Sequence, residues 1–422
     1  MAVAFDDEHA VDRAGLMLVA SLAQHIDLEG LADETIDLGD RPGAFAPGRK
    51  LMTLVHSMAA GGDFISDIDL LRAGATADVL GHRAMAATTV GTFLRSFSFG
   101  HVRQLDRVCD VALSRAWSAG AGPGDGPLTI DIDSTVVEVH GYAKQGAAYG
   151  HTRQRGYHPL LATRADTGEV LHLRFRKGSA NTARGARRFI EETIARVRRA
   201  GATGPIVLRA DSGFHSASTI DACRAKGVRF SITARMTTTI RAAIDQIPEL
   251  GWVPLADYPD GGFAELAETT LDDGTRLIVR RTIVLDPAET LFKVWRYHAF
   301  VTDREGTPAD LDVDHRRHAQ VELVIRDLKA GPLAHCPSGR FNANAAWAAA
   351  AVLAHNLQRW TAIIGGIDTR PVTAKTIRRR YLDLPGRITT SARKPTLHLP
   401  ARWPAANRWM AALATIRTVA LC

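Results

Sequence analysis

Three acidic positions are the residues of this sequence best suited to chemistry. Asp131 and Asp133 lie in Leu128–Val139 (LTIDIDSTVVEV), whose alternation and β-branched residues predict a strand. At i and i+2 their side chains share one face of that strand. A carboxylate inside an otherwise apolar strand is costly to bury unless it is paired or metal-bound. Asp211 ends a second apolar run and is followed by the turn-forming Ser212-Gly213 (RADSGF, 209–214). Ligand sites of open α/β sheets collect at such strand ends. If the two strands are neighbours, Asp133 and Asp211 meet, and their mutual repulsion calls for a cation. Mg²⁺, with its preference for oxygen ligands, is the natural choice. Taken singly, either Asp reads better as a helix cap or a turn residue.

The third acidic candidate is Glu322. His315, His318, Glu322, Arg326 and Lys329 recur at helical spacing, with Val321, Val324, Ile325 and Leu328 as the apolar positions. A Glu flanked by imidazoles and cations could complete a metal site and hold a phosphate beside it. The plainer reading is a solvated helix face. The histidine spacing is not HExxH, and no third nitrogen ligand for zinc is evident. Ser134 and Ser212 lack the GxSxG setting of a hydrolase nucleophile.

The elements that must position these groups fall into regions. Residues 1–120 read as helices, either a plain bundle or one containing a helix-turn-helix. The Gly/Pro-rich Ala119–Pro127 is a linker. Residues 128–236 follow as βββαβαβ, with Asp166-Thr167-Gly168 as a hairpin turn. This order predicts a mixed sheet with helices on its faces. Residues 237–305 read as an inserted β-rich subdomain with strands at Leu255–Thr270, Arg276–Leu285 and Leu291–Thr302. Residues 306–365 carry one helix at about Asp312–Lys329 and another at Ala343–Gly365. Residues 366–422 form a basic extension.

Composition sets the outer limits. The 422 residues suffice for two to three domains, and 46% hydrophobic with 23% charged residues excludes disordered and collagen-like chains. No apolar run reaches the ~18–20 residues of a membrane helix. The acidic start (MAVAFDDE) does not resemble a signal peptide, so a cytoplasmic location is expected. Cys109, Cys223, Cys336 and Cys422 form no CxxC pair and read as small buried residues. The net charge of +7 conceals an uneven distribution: residues 330–422 hold 13 Lys+Arg against 2 Asp+Glu. Such a tail suits a polyanion, and Arg378, Arg379 and Arg380 are candidate phosphate contacts. A solvated basic surface is the plainer alternative. Trp403 and Trp409 near the tail read as core residues more readily than as stacking platforms.

DIDST (131–135), RADSGF (209–214), the Glu322 helix ending at Lys329 and GRFNANAAW (339–347) together resemble the DDE transposases of bacterial insertion sequences. The resemblance covers nearly the whole chain and lies nearest the IS1380 group, related to the IS4-type enzymes. It implies an α/β fold: an RNase H-like mixed-sheet catalytic core, interrupted by a β-rich insertion, with an α-helical N-terminal domain. It assigns Asp133, Asp211 and Glu322 as catalytic and metal-binding residues, with Asp131 a further metal candidate. The implied cofactor is Mg²⁺, with Mn²⁺ also supporting activity. Asp133 would bridge two ions, Asp211 holding one and Glu322 the other. Lys329, Arg326, His318 and Arg378–Arg380 are the implied DNA contacts. In the related pattern Y-x2-R-x3-E-x6-K, Glu322 and Lys329 fit, while His315 and His318 stand where Tyr and Arg are expected. The implied partners are transposon-end and target DNA and a second copy of the chain, with no membrane, in a bacterial, nucleoid-associated setting. The implied function is phosphodiester cleavage and strand transfer. A metal-dependent nuclease of the same fold and an inactive DNA-binding derivative are the alternatives.

Overall fold

The computed structural model describes residues 1–150, 153–255, 258, 263–283, 295–368 and 372–420. The N-terminal part is helical as expected: α1 Leu16–His25, α2 Leu28–Thr35, α3 Pro47–Ala59, α4 Thr76–Leu80, α5 Ala87–Arg95 and α6 Phe99–Ala116. Several of these helices pack against a 24-residue helix from the far end of the chain, Phe341–Ile364, where Trp347 and Trp360 are fully buried. One continuous apolar core runs from α1 through the central sheet to the C-terminal helix Ala406–Thr418. Among the described residues no helix is long and apolar enough to cross a membrane.

The central sheet has nine strands. In chain order they are β1 Leu128–Ser134, β2 Leu160–Arg164, β3 Val170–Arg174, β4 Ile206–Ala210, β5 Arg229–Thr233, β6 Val253–Pro254, β7 Ala264–Thr270, β8 Arg276–Ile283 and β9 Trp295–Thr302. In space they run β6-β7-β8-β9-β5-β4-β1-β2-β3. The β1–β4 and β4–β5 pairs are parallel and the others antiparallel. The parallel crossovers pass through α7 (Ala186–Arg199) and α8 (Ala217–Ala225), the connection such pairs require, and α9 (Thr238–Asp245) follows β5. The β2–β3 hairpin turns at Gly168, whose φ of 72° suits glycine.

Two expectations are corrected. The residues read as a separate β-rich subdomain instead continue the core sheet, because β9 pairs with β5 (Phe300 opposite Thr233, Thr302 opposite Ser231). Without β9, β5 would be an open edge, and the added strands cover its unpaired backbone groups. The expected strand ends at residues 284–285 and 291–294, with residues 256–257 and 259–262, lie outside the described residues, as does Cys422. The single helix expected over 312–329 is two, α10 Pro308–Arg316 and α11 Gln320–Lys329, joined by a tight turn at Arg317–Ala319. That break divides the expected polar stripe.

The basic extension is not a free arm. Its hairpin, Gly386–Ser391 with Lys394–His398, pairs with Ala10–Val11 near the chain start. Helix Ala406–Thr418 then packs on α1. Cys223 and Cys336 are buried, as expected, and burial pushes their thiols up to about 12.

Candidate active site

The β1–β4 register sets the site. Ile132 faces Ala210, so Asp133 and Asp211, the next residue on each strand, emerge side by side at the same end of the sheet. The expected meeting of the two carboxylates is therefore built into parallel pairing. Along β1, Leu128, Ile130 and Ile132 are buried on one side, while Asp131 and Asp133 point to the other. Helix α11 packs against β1, its Val321, Val324, Ile325 and Leu328 buried and Glu322 exposed.

The three acidic groups feel one another. Asp133 is half-buried and its carboxyl is pushed up to about 7. Burial is the largest cause, the charges of Asp211, Glu322 and Asp131 add to it, and a 2.6 Å bond from the Ser134 backbone N–H opposes it. Burial likewise raises Asp211, against His318, the N–H groups of Gly213 and Phe214, and Arg235. Asp211 accepts from Gly213 N–H at 3.1 Å and caps the short turn Ser212–Phe214. Gly213 is needed there, since a Cβ would lie 2.9 Å from Thr182 and 3.1 Å from the Asp211 carboxylate. Among the described residues Asp133 has no ion-pair partner. No group of three His, Cys, Asp or Glu side chains among them closes into a finished metal cage. Donor chemistry nevertheless fits a hard divalent cation: oxygen ligands only, like-charged, with burial and the neighbouring carboxylates raising one of them.

Asp131 behaves differently. It is fully buried, and both its oxygens are taken by Arg209, at 2.7 Å and 2.8 Å. Arg209 also donates to the Asp314 backbone carbonyl at 2.5 Å and to its carboxylate at 3.2 Å. The chain Asp131–Arg209–Asp314 fastens α10 to the sheet and occupies both Asp131 oxygens.

The two histidines also part company. His315 is half-buried between Ser231 Oγ (2.8 Å) and Thr233 Oγ1 (3.0 Å) and stacks on Phe300 at 4.2 Å. Burial first, then neighbouring cationic side chains, lowers its imidazole to about 3, so it is a neutral core residue. His318 lies beside Asp211, with Nε2 3.1 Å from the Ile132 carbonyl. Arg326 is exposed on α11, and Lys329 donates to the Val136 carbonyl at 2.9 Å. Arg379 and Arg380 are exposed in the C-terminal extension, and Arg378 is half-buried behind them.

Sequence reasoning missed a supporting ring. Ser134 Oγ is 3.1 Å from both Thr182 Oγ1 and His158 Nε2, and His158 Nδ1 is 2.6 Å from the Ala180 carbonyl. Arg176 gathers the carbonyls of His158, Asn181 and Arg184, fixing the loop that carries Thr182. It also missed Arg235, whose guanidinium reaches the Ser212 carbonyl at 3.4 Å and stands beside Asp211. No local pattern marks these residues.

The family model described as transposase DDE domain group 1 matches residues 1–421. Among solved structures, the cryo-EM structure of a piggyBac transposase synaptic complex with hairpin DNA is similar, with a TM-score of 0.47 and 12% identity. That similarity covers 88% of this chain and 80% of the other. No curated protein is similar enough to count as a match.

Proposed function

From the premise that the chain belongs to the DDE transposases, group 1, and is thus a DNA transposase, we propose that Asp133, Asp211 and Glu322 are its catalytic carboxylates. The observation that carries this is the Asp133 carboxyl. It lies beside Asp211 and Glu322 with no ion pair among the described residues and is pushed up to about 7, chiefly by burial, while Asp131 two residues away, also raised by burial, is paired with Arg209. The strand order around β1, with β2 and β3 antiparallel on one side and β4 and β5 parallel on the other, supports an RNase H-like core. In this reading residues 1–120 form a helical N-terminal domain, 128–236 and 306–365 the core, 237–305 its insertion and 366–422 the extension. The quoted motifs favour the IS1380 group.

Asp133, Asp211 and Glu322 would hold divalent metal, Mg²⁺ or in its place Mn²⁺. Bound there, the metal would favour ionisation of an attacking hydroxyl and stabilise charge on a leaving oxygen. The protein's own groups do the rest. The Ser134–His158–Thr182 ring and Gly213 hold Asp133 and Asp211 in place. Arg235 and His318 stand beside Asp211, and with Arg326 and Lys329, which follow Glu322 along α11, they would offset the repulsion of DNA. Arg378, Arg379 and Arg380 would contact phosphates farther out. The DNA substrates would be transposon ends and a target, handled by two copies of the chain.

The test is substitution of each carboxylate by Ala. Strand cleavage should fall by about three orders of magnitude, the scale of losing several kcal/mol of charge stabilisation, with DNA affinity and folding retained. Equal loss of binding and cleavage, or an inactive Asp131→Ala beside an active Asp133→Ala, would overturn the assignment. A strand-transfer assay with transposon-end DNA separates joining from cutting alone.

A further inference from the structure

A cavity of about 610 Å³ opens in the C-terminal extension, lined by Arg379, Arg380, Tyr381, Trp403, Pro404 and Arg408 among others. Among the described residues its lining includes no acidic side chain, and Arg380 lies 3.9 Å from the Asp368 carboxylate. The backbone over Arg378–Leu382 is wound in a wide turn, closed by Asp383 N–H to the Arg378 carbonyl at 2.8 Å. The carbonyls of Arg380 and Tyr381 accept instead from two indoles, Trp403 at 3.1 Å and Trp409 at 3.2 Å. Trp409 is buried core, as its sequence context suggested, whereas Trp403 is only half-buried, its ring held by the edge. The residue before it, Arg402, takes a φ of 62°, a conformation that a non-glycine residue adopts only when its surroundings enforce it.

Beside the indole, helix Ala406–Thr418 begins at Ala405 with no side-chain cap and no acidic residue in its first turn. That end carries the positive pole of the helix dipole, and Arg408 adds a second positive charge to it. Cations stacked on cations are unfavourable unless an anion joins them, and a phosphate satisfies both the guanidinium and the free N–H groups. A half-exposed aromatic ring beside cations is the combination that binds an unpaired base with its backbone. A base inside a duplex is stacked on both faces and offers no such surface.

We propose that this groove takes one unpaired nucleotide of single-stranded DNA, its base on Trp403 and its phosphates on Arg379 and Arg408. This deepens the reading of the tail arginines as DNA contacts and rests on it. The experiment measures affinity of the full chain, without divalent metal, for a ten-residue oligo-dT strand and for a ten-base-pair duplex. Trp403→Ala should weaken the single strand about ten-fold, the range of one base stack, with duplex affinity held within about two-fold. Trp403→Phe, which keeps a ring, should restore most of the loss. Arg379→Ala and Arg408→Ala should each lower the salt slope on the single strand by about 0.7.

Equal weakening of strand and duplex by Trp403→Ala, or unchanged strand binding by a folded variant, overturns the nucleotide subsite. If Trp403→Ala melts early, the exposed Arg408 decides: unchanged strand affinity and salt slope in Arg408→Ala overturns the proposal. Unchanged salt slopes on both DNAs in Arg379→Ala and Arg408→Ala would instead sink the reading of the tail as a DNA contact. Neither result bears on cleavage by the carboxylates.

Discussion

Asp131 and Asp133 stand on the same strand and point to the same face, yet the fold treats them in opposite ways. Asp131 is fully buried in a two-pronged bond with Arg209, which reaches on to Asp314. Asp133, one step nearer the strand end, meets Asp211 and Glu322 and has no ion pair among the described residues. The inner carboxylate is neutralised by the protein and binds α10 to the sheet. The outer one is half-exposed at the strand end without such a partner among the described residues. Pairing thus separates the two carboxylates more sharply than burial does, and the uncompensated one is the candidate for function.

The largest effect should come from exchanging the two fates. Asp133→Asn should lose cleavage by about 10³-fold, whereas Asp131→Asn should lose less than about ten-fold per folded molecule. A comparable loss in both, measured on protein verified as folded, would erase the distinction. Stability should show the inverse order. Asp131→Ala strips buried Arg209 of its two-pronged partner, leaving only Asp314, and should cost about 3 kcal/mol, read from denaturant melts. Asp131→Leu with Arg209→Met, an apolar pair, should recover much of that loss.

The pH dependence sharpens the contrast. The Asp133 carboxyl is raised in the folded chain to about 7, against ~3.9 when unfolded. The folded state therefore holds this proton more tightly. Its contribution to stability is full below about pH 4 and lost as pH rises through 7. Asp133→Asn, which cannot ionise, should thus melt higher than the parent at pH 8 without metal, by about 2–4 °C for each kcal/mol relieved. The gap should close below about pH 4. A gap that widens on acidification would show that Asp133 is stabilised by an undetected cation rather than strained by its neighbours.

What was legible in the sequence follows from the range of the interactions. Alternation marked β1, an apolar run marked β4, and Asp166-Thr167-Gly168 marked the β2–β3 turn, because each signal lies within a few residues. Parallel pairing then delivered Asp133 beside Asp211. The partner of Asp131 was not legible: Arg209 lies 78 residues away and looked like a neighbour of Asp211. The helical spacing from His315 to Lys329 concealed a break, since a tight turn at Arg317–Ala319 keeps the period roughly while turning His315 onto Ser231 and Thr233 and exposing Glu322. The strands after β5 were found, but their docking on the core depends on a β5–β9 pairing across some 70 residues that no local pattern carries. The basic tail was legible as charge and not as structure, because its hairpin finds its partner at Ala10–Val11.

The histidines give the smallest and most discriminating test of the same contrast. His315 sits inward, held by Ser231 and Thr233 and stacked on Phe300, and His318 sits outward beside Asp211. His315→Ala should act on stability alone, costing about 2–3 kcal/mol through the lost ring and two stranded hydroxyls. The Mg²⁺ requirement of the folded fraction should not change. His318→Ala should leave stability nearly untouched and remove one of the groups that keep the Asp211 carboxyl from rising further. More of Asp211 is then protonated at low pH, so half-maximal cleavage should need about two- to five-fold more Mg²⁺ at pH 6.5. At pH 8.5, where protons compete less with metal for Asp211, the two Mg²⁺ titrations should converge. A deficit of the same size at both pH values would mean that His318 places α11 through the Ile132 carbonyl and contributes nothing through charge.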